Sequence, residues 1–126
     1  MILRITALTM RLCGLVALIL GLLFWAGFAR NLLQLHILLG LLVTLSLWLV
    51  GIDQFVAETG SRAIGIGAFV LGLFLPIVGI FQASILVGSL HWVIQIIHLL
   101  LGVTAVGIGQ ISMARARKNG ADATVR

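Results

Sequence analysis

Four long apolar stretches follow one another with only short polar interruptions: Leu12–Ala29, Leu32–Ile52, Ala63–Phe81 and about Leu90–Met113. Each is close to the roughly 20 residues that an α-helix needs to cross a hydrocarbon core of about 30 Å. The pattern predicts an all-α integral membrane protein, an up-down-up-down four-helix bundle with short loops. The expected spans are about 12–29, 32–52, 63–82 and 89–113, within a unit covering residues 1–114, followed by a basic tail at 115–126. Too little sequence lies outside these spans for a soluble catalytic domain.

Inside the apolar stretches, small and polar residues recur at alternating spacings of three and four, the period that keeps one helix face toward its neighbours. The fourth stretch reads His91, Gln95, His98, Gly102, Ala105, Gly109, Ser112, and the third reads Gly65, Ala68, Gly72, Leu75, Gly79, Gln82. The first gives Gly14, Ala17, Gly21, Phe24, Phe28, and the second gives His36, Gly40, Thr44, Leu47, Gly51. Such seams predict close helix packing. Pro76 removes one backbone donor from the third helix and should bend it, leaving the Gly72 carbonyl without its usual partner.

Composition agrees with the pattern: 62% of the 126 residues are hydrophobic, 9% are charged, and there is no tyrosine. That profile lies far outside soluble domains. Arg4 and Arg11 precede the first span, Arg62 lies between the second and third, and Arg115, Arg117, Lys118 and Arg126 follow the fourth, while Arg30 stands alone on the opposite side. The distribution predicts both termini in the cytoplasm, in a bacterial inner or cell membrane. The net charge of +5 then reports topology and contact with anionic lipid, not nucleic-acid binding. Arg4, Arg11 and "GFA" at 27–29 also suit a secretion signal, but an apolar run of 18 residues is long for one, and the segment reads as a helix. Cys13, the single cysteine, reads as a helix residue.

The two halves of the chain resemble each other. "LGLLFWAGF" at 20–28 is echoed by "LGLFLPIVGIF" at 71–81, and "HILLG" at 36–40 by "HLLLG" at 98–102. His36 lies seventeen residues before Asp53, and His98 seventeen residues before Arg115. At about 1.5 Å per residue both sit roughly 25 Å from the inner edge, near the outer side of the core. In an up-down-up-down bundle the second and fourth helices are diagonal neighbours, so the two rings are expected level and face to face. His91 falls two turns further out, where Trp92 also suits the interface.

Two inward histidines at one depth on diagonal helices are what a six-coordinate haem requires, one imidazole on each side of the iron. Gly40 and Gly102, one turn from each ligand, would make room for the flat ring, and Gly72 or Gly21 could do so from the other walls. HxxxG histidines on paired spans resemble those of b-type membrane cytochromes and small four-helix membrane haem proteins. That resemblance covers the second and fourth helices and implies haem b with His36 and His98 as the metal ligands. It differs from the respiratory cytochrome b pattern, in which each of two helices carries two histidines about four turns apart. Here one helix has one histidine and the other has two, seven apart, which argues against a second bis-histidine haem. His91 and Gln95, on the same line as His98, would bond a propionate or line a quinone site.

The expected function is electron transfer with quinol, an outside redox partner, or other subunits of a larger membrane complex. Other readings fit the sequence too. The histidines could simply hydrogen-bond between helices in a non-redox accessory or assembly subunit. Each could hold one chlorophyll-type pigment. His91, Gln95, His98, Thr44 and Ser112 could thread a proton path, although no carboxylate lies within a span. There is no CxxC, no HExxH and no phosphate-binding glycine loop.

Overall fold

A computed structural model of the chain describes residues 2–124, with side-chain surroundings for residues 4–118. All regular structure among these residues is helical: α1 (Ile2–Trp25), α2 (Leu33–Val56), α3 (Arg62–Phe81) and α4 (His91–Thr124), with single 3₁₀ turns at Arg30–Leu32 and Gln82–Ser84. Four segments, Arg4–Trp25, Arg30–Val56, Arg62–Ser84 and His91–Lys118, are long and apolar enough to cross a membrane.

The helix boundaries depart from the hydrophobic pattern in physically simple ways. α1 begins ten residues before the expected start, so Arg4 and Arg11 lie on the helix and not ahead of it. Packing explains the extension. Met10 is fully buried and occupies the space beside Gly109 of α4, while Gln110 receives a hydrogen bond from Arg11 and donates one to the Ala7 carbonyl at 3.2 Å. α1 ends early, at Trp25, in a Schellman turn. The Phe28 N–H bonds the Leu23 carbonyl at 2.8 Å, the Gly27 N–H bonds the Phe24 carbonyl at 3.0 Å, and Gly27 adopts φ +87°. α2 runs four residues past Ile52 and carries Asp53 and Gln54 with it. The tail expected to follow α4 continues that helix to Thr124, in keeping with its alanine, arginine and lysine content, and residues 125–126 lie outside the described region.

α2 packs against α1 and α3, α4 packs against the same two helices, and α2 and α4 also meet each other across the middle. The α2–α4 line is therefore the short diagonal of the bundle. Glycines let the backbones approach. A Cβ placed on Gly51 or on Gly65 would lie 3.3 Å from the other's carbonyl oxygen, with Phe69 covering Gly51 and Phe55 covering Gly65. Phe69 also stacks on Trp48, whose indole fills the space beside Gly72. On the α1–α4 side, Gly14 receives Val106 as Gly109 receives Met10. Met10, Val43, Leu47, Val50, Ala68, Leu75 and Ala105 form one core cluster. The buried residues of α2 run from Val43 to Gln54 and those of α3 from Gly65 to Leu75, so the dense part of the bundle lies away from the start of α2.

The α2–α3 turn is held by polar contacts. Ser61 caps α3, its Oγ accepting from the Ile64 N–H at 3.5 Å, and its own N–H donates to Gln54 Oε1 at 3.2 Å. The cap bond is long, so Ser61→Ala should cost about 0.5 kcal/mol, the low end for lost caps. Thermal unfolding in detergent should register this as a midpoint lowered by roughly 2 °C.

Candidate functional site: a histidine pair on the short diagonal

His36 stands in the first turns of α2 and His98 in the second turn of α4, and the structure brings the two together. Their ring centres are 6.2 Å apart with an interplanar angle of 60°. They come from the helices that form the short diagonal, which is why two residues 62 positions apart in sequence can face one another.

Each ring rests against a glycine of the preceding helix. A Cβ on Gly21 of α1 would lie 3.5 Å from His36 Cε1, and one on Gly79 of α3 would lie 2.9 Å from His98 Cε1. The second distance is shorter than real Cβ contacts allow, so only glycine at 79 leaves the His98 ring where it is. Phe24, one residue before the end of α1, meets His36 edge-on with centres 5.3 Å apart. The Nδ1 atoms of both histidines are buried and have no protein hydrogen-bond partner. Leaving a buried polar nitrogen unbonded costs on the order of 1–3 kcal/mol, so a pair of them is a demand for something to bond.

The other expected site residues divide. Gly40 and Gly102, one turn beyond each histidine, face open space: a Cβ on either meets nothing within 4 Å. Gly72 is placed against the Trp48 indole and not against the histidines. His91 opens α4 and points Nδ1 at the Ile85 carbonyl, 3.3 Å away, which folds the α3–α4 connection back on itself. Gln95 lies half-buried one turn ahead of His98. The pair with its flanking glycines is therefore the compact centre, and His91 belongs to the loop.

Gly79 is the neighbour that the histidine motif did not single out, although depth would have found it. Gly21 lies seventeen residues after Arg4, and Gly79 seventeen residues after Arg62, the same count that separates His36 from Asp53 and His98 from Arg115. Four charged markers thus put two histidines and two glycines at a common level.

Among the described residues no three or more His, Cys, Asp or Glu side chains converge on a metal-sized point. The donor set here is two imidazoles, which suits a metal that brings its remaining ligands with it. Two other hollows lie elsewhere: a polar cleft of about 350 Å³ lined by Asp53, Glu58 and Arg115, and an apolar groove of about 430 Å³ between Trp48 and Phe69. Neither includes a histidine. Comparison of the chain with known proteins found no matching protein family, no matching curated protein and no matching solved structure.

Proposed function

We propose that the chain is an integral membrane electron-transfer protein that holds one haem b between His36 and His98. The bundle would cross the bilayer up-down-up-down with both termini in the cytoplasm, as the arginine distribution indicates. Exposed apolar side chains along its helices, among them Leu8, Leu45, Phe74 and Leu100, would be covered by lipid.

The observation that carries the haem reading is the ring separation. Two metal–nitrogen bonds of about 2 Å, extended to the centres of the two imidazoles, put those centres about 6 Å apart. The observed 6.2 Å matches that span. Two further features support it: the unbonded Nδ1 atoms and the open space beside Gly40 and Gly102. Bound there, the haem supplies a one-electron carrier with no free coordination position, which favours relay over oxygen chemistry. The chain's own part is to fix the two rings against Phe24 and the glycine-bearing walls of α1 and α3, and to present the cofactor near one face of the membrane. An electron entering there needs a partner, either quinol from the bilayer or a redox protein outside it.

Haem titrated into the detergent-purified protein should bind one per chain and give the low-spin spectrum of two imidazole ligands. A high-spin complex or no saturable binding contradicts the proposal.

A second reading is favoured by one observation. Centres 6.2 Å apart at 60° also fit a plain edge contact between rings, as in a non-redox accessory subunit whose glycine-lined helices brace a larger complex. The titration separates the two. The pigment reading fares worse, because rings that face each other on the inner diagonal leave no place for one macrocycle each.

A further inference from the structure

Thr44, Trp48 and Gly72 make up a second set of polar atoms that the histidine site does not use. Pro76 has no N–H to give to the carbonyl four residues earlier, so the Gly72 carbonyl has lost its intrahelical partner. The Trp48 indole of α2 lies directly over Gly72, and its Nε1 is buried without a protein partner. One turn before Trp48, Thr44 is only 3% exposed, and its Oγ1 is also buried without one. Thr104 and Ser112 bond back to the carbonyls of Leu100 and Ile108, at 2.7 and 2.9 Å, whereas Thr44 forgoes the same bond to Gly40.

We propose that Thr44 Oγ1, Trp48 Nε1 and the Gly72 carbonyl together bind one internal water molecule, which joins α2 to the turn of α3 that ends at Pro76. The chemistry is complementary: the indole only donates, the carbonyl only accepts, and the hydroxyl does either. A water that accepts from Trp48, donates to Gly72 and shares a bond with Thr44 makes three hydrogen bonds, the usual number for buried water. In an apolar bundle surrounded by lipid, such a bond is one of the few ways to satisfy a carbonyl that proline has freed. Any side chain at position 72 would push the indole out of place, so the glycine is part of the site. The inference is independent of the haem reading.

Solution NMR on protein labelled with ¹⁵N at the tryptophan indoles tests it, with the Trp48 resonance assigned from Trp48→Phe. The Trp48 Nε1–H should show dipolar cross-relaxation with water, distinguishable by sign from chemical exchange. Thr44→Val should weaken that cross-peak several-fold, Thr44→Ser should keep it, and Pro76→Ala, which returns an N–H to the Gly72 carbonyl, should weaken it too. The proposal is overturned if the wild-type indole shows no water cross-peak or couples through a hydrogen bond to a protein carbonyl. It is equally overturned if Thr44→Val leaves the peak unchanged. The near-isosteric valine and serine variants keep the test valid even where Pro76→Ala perturbs the helix.

Discussion

Replacing His98 with alanine should lower the haem content of the purified protein at least tenfold, whereas His91→Ala should leave it unchanged. The asymmetry follows from geometry. His98 faces His36 with ring centres 6.2 Å apart, while His91 turns to the Ile85 carbonyl in the α3–α4 connection. With a haem held between the two rings as proposed, losing one imidazole would leave the iron on the other alone, with a changed spin state and a weaker hold on the ring. Added imidazole should restore the low-spin spectrum of the His98→Ala protein by filling the cavity left by the side chain. Gly79→Leu should resemble His98→Ala without removing a ligand, because its Cβ alone would stand 2.9 Å from His98 Cε1 and displace the ring. Haem content that survives His98→Ala and falls in His91→Ala would assign the ligands wrongly here.

The second large effect concerns the bundle. Gly51→Leu should destabilise it by about 3 kcal/mol or more, beyond the usual cost of overpacking, because the new side chain meets rigid structure. Its Cβ would already stand 2.9 Å from the Phe69 ring and 3.3 Å from the Gly65 carbonyl, so α2 and α3 must separate. Gly67→Leu, also on α3, provides the contrast. A Cβ there meets nothing within 4 Å, and a better helix former replaces glycine, so stability should hold or rise by up to about 1 kcal/mol. Thermal or denaturant unfolding in one detergent, followed by helix content, compares the two. Equal losses would mean that the α2–α3 crossing does not pass through Gly51.

Much of this architecture is legible in the sequence because four apolar helices long enough to cross a membrane, joined by short loops, admit few arrangements. Apolar runs of about 20 residues announce the helices, and the three-and-four spacing of small residues announces their contact faces. The helix ends were less legible because packing, not hydropathy, sets them. Nothing in the hydropathy of residues 2–11 reveals that Met10 fits beside Gly109, and Asp53 reads as a boundary although α2 carries it within the helix. For the histidine pair, counting to charged markers anticipated that His36 and His98 would meet. The same count applied to Arg4 and Arg62 reaches Gly21 and Gly79, the glycines that touch the rings. Gly72 shows where the spacing falls short. It shares the α3 seam with Gly79, yet it accommodates Trp48, and a seam does not say which large side chain each glycine receives.

The most direct test of the central claim is the reduced-minus-oxidised visible spectrum of the protein purified in detergent from haem-replete cells. Sharp α and Soret bands, one haem per chain, and their loss in His36→Ala as well as His98→Ala are the predicted result. A colourless protein whose histidine variants are as stable as the parent would contradict the account and leave His36 and His98 as packing residues.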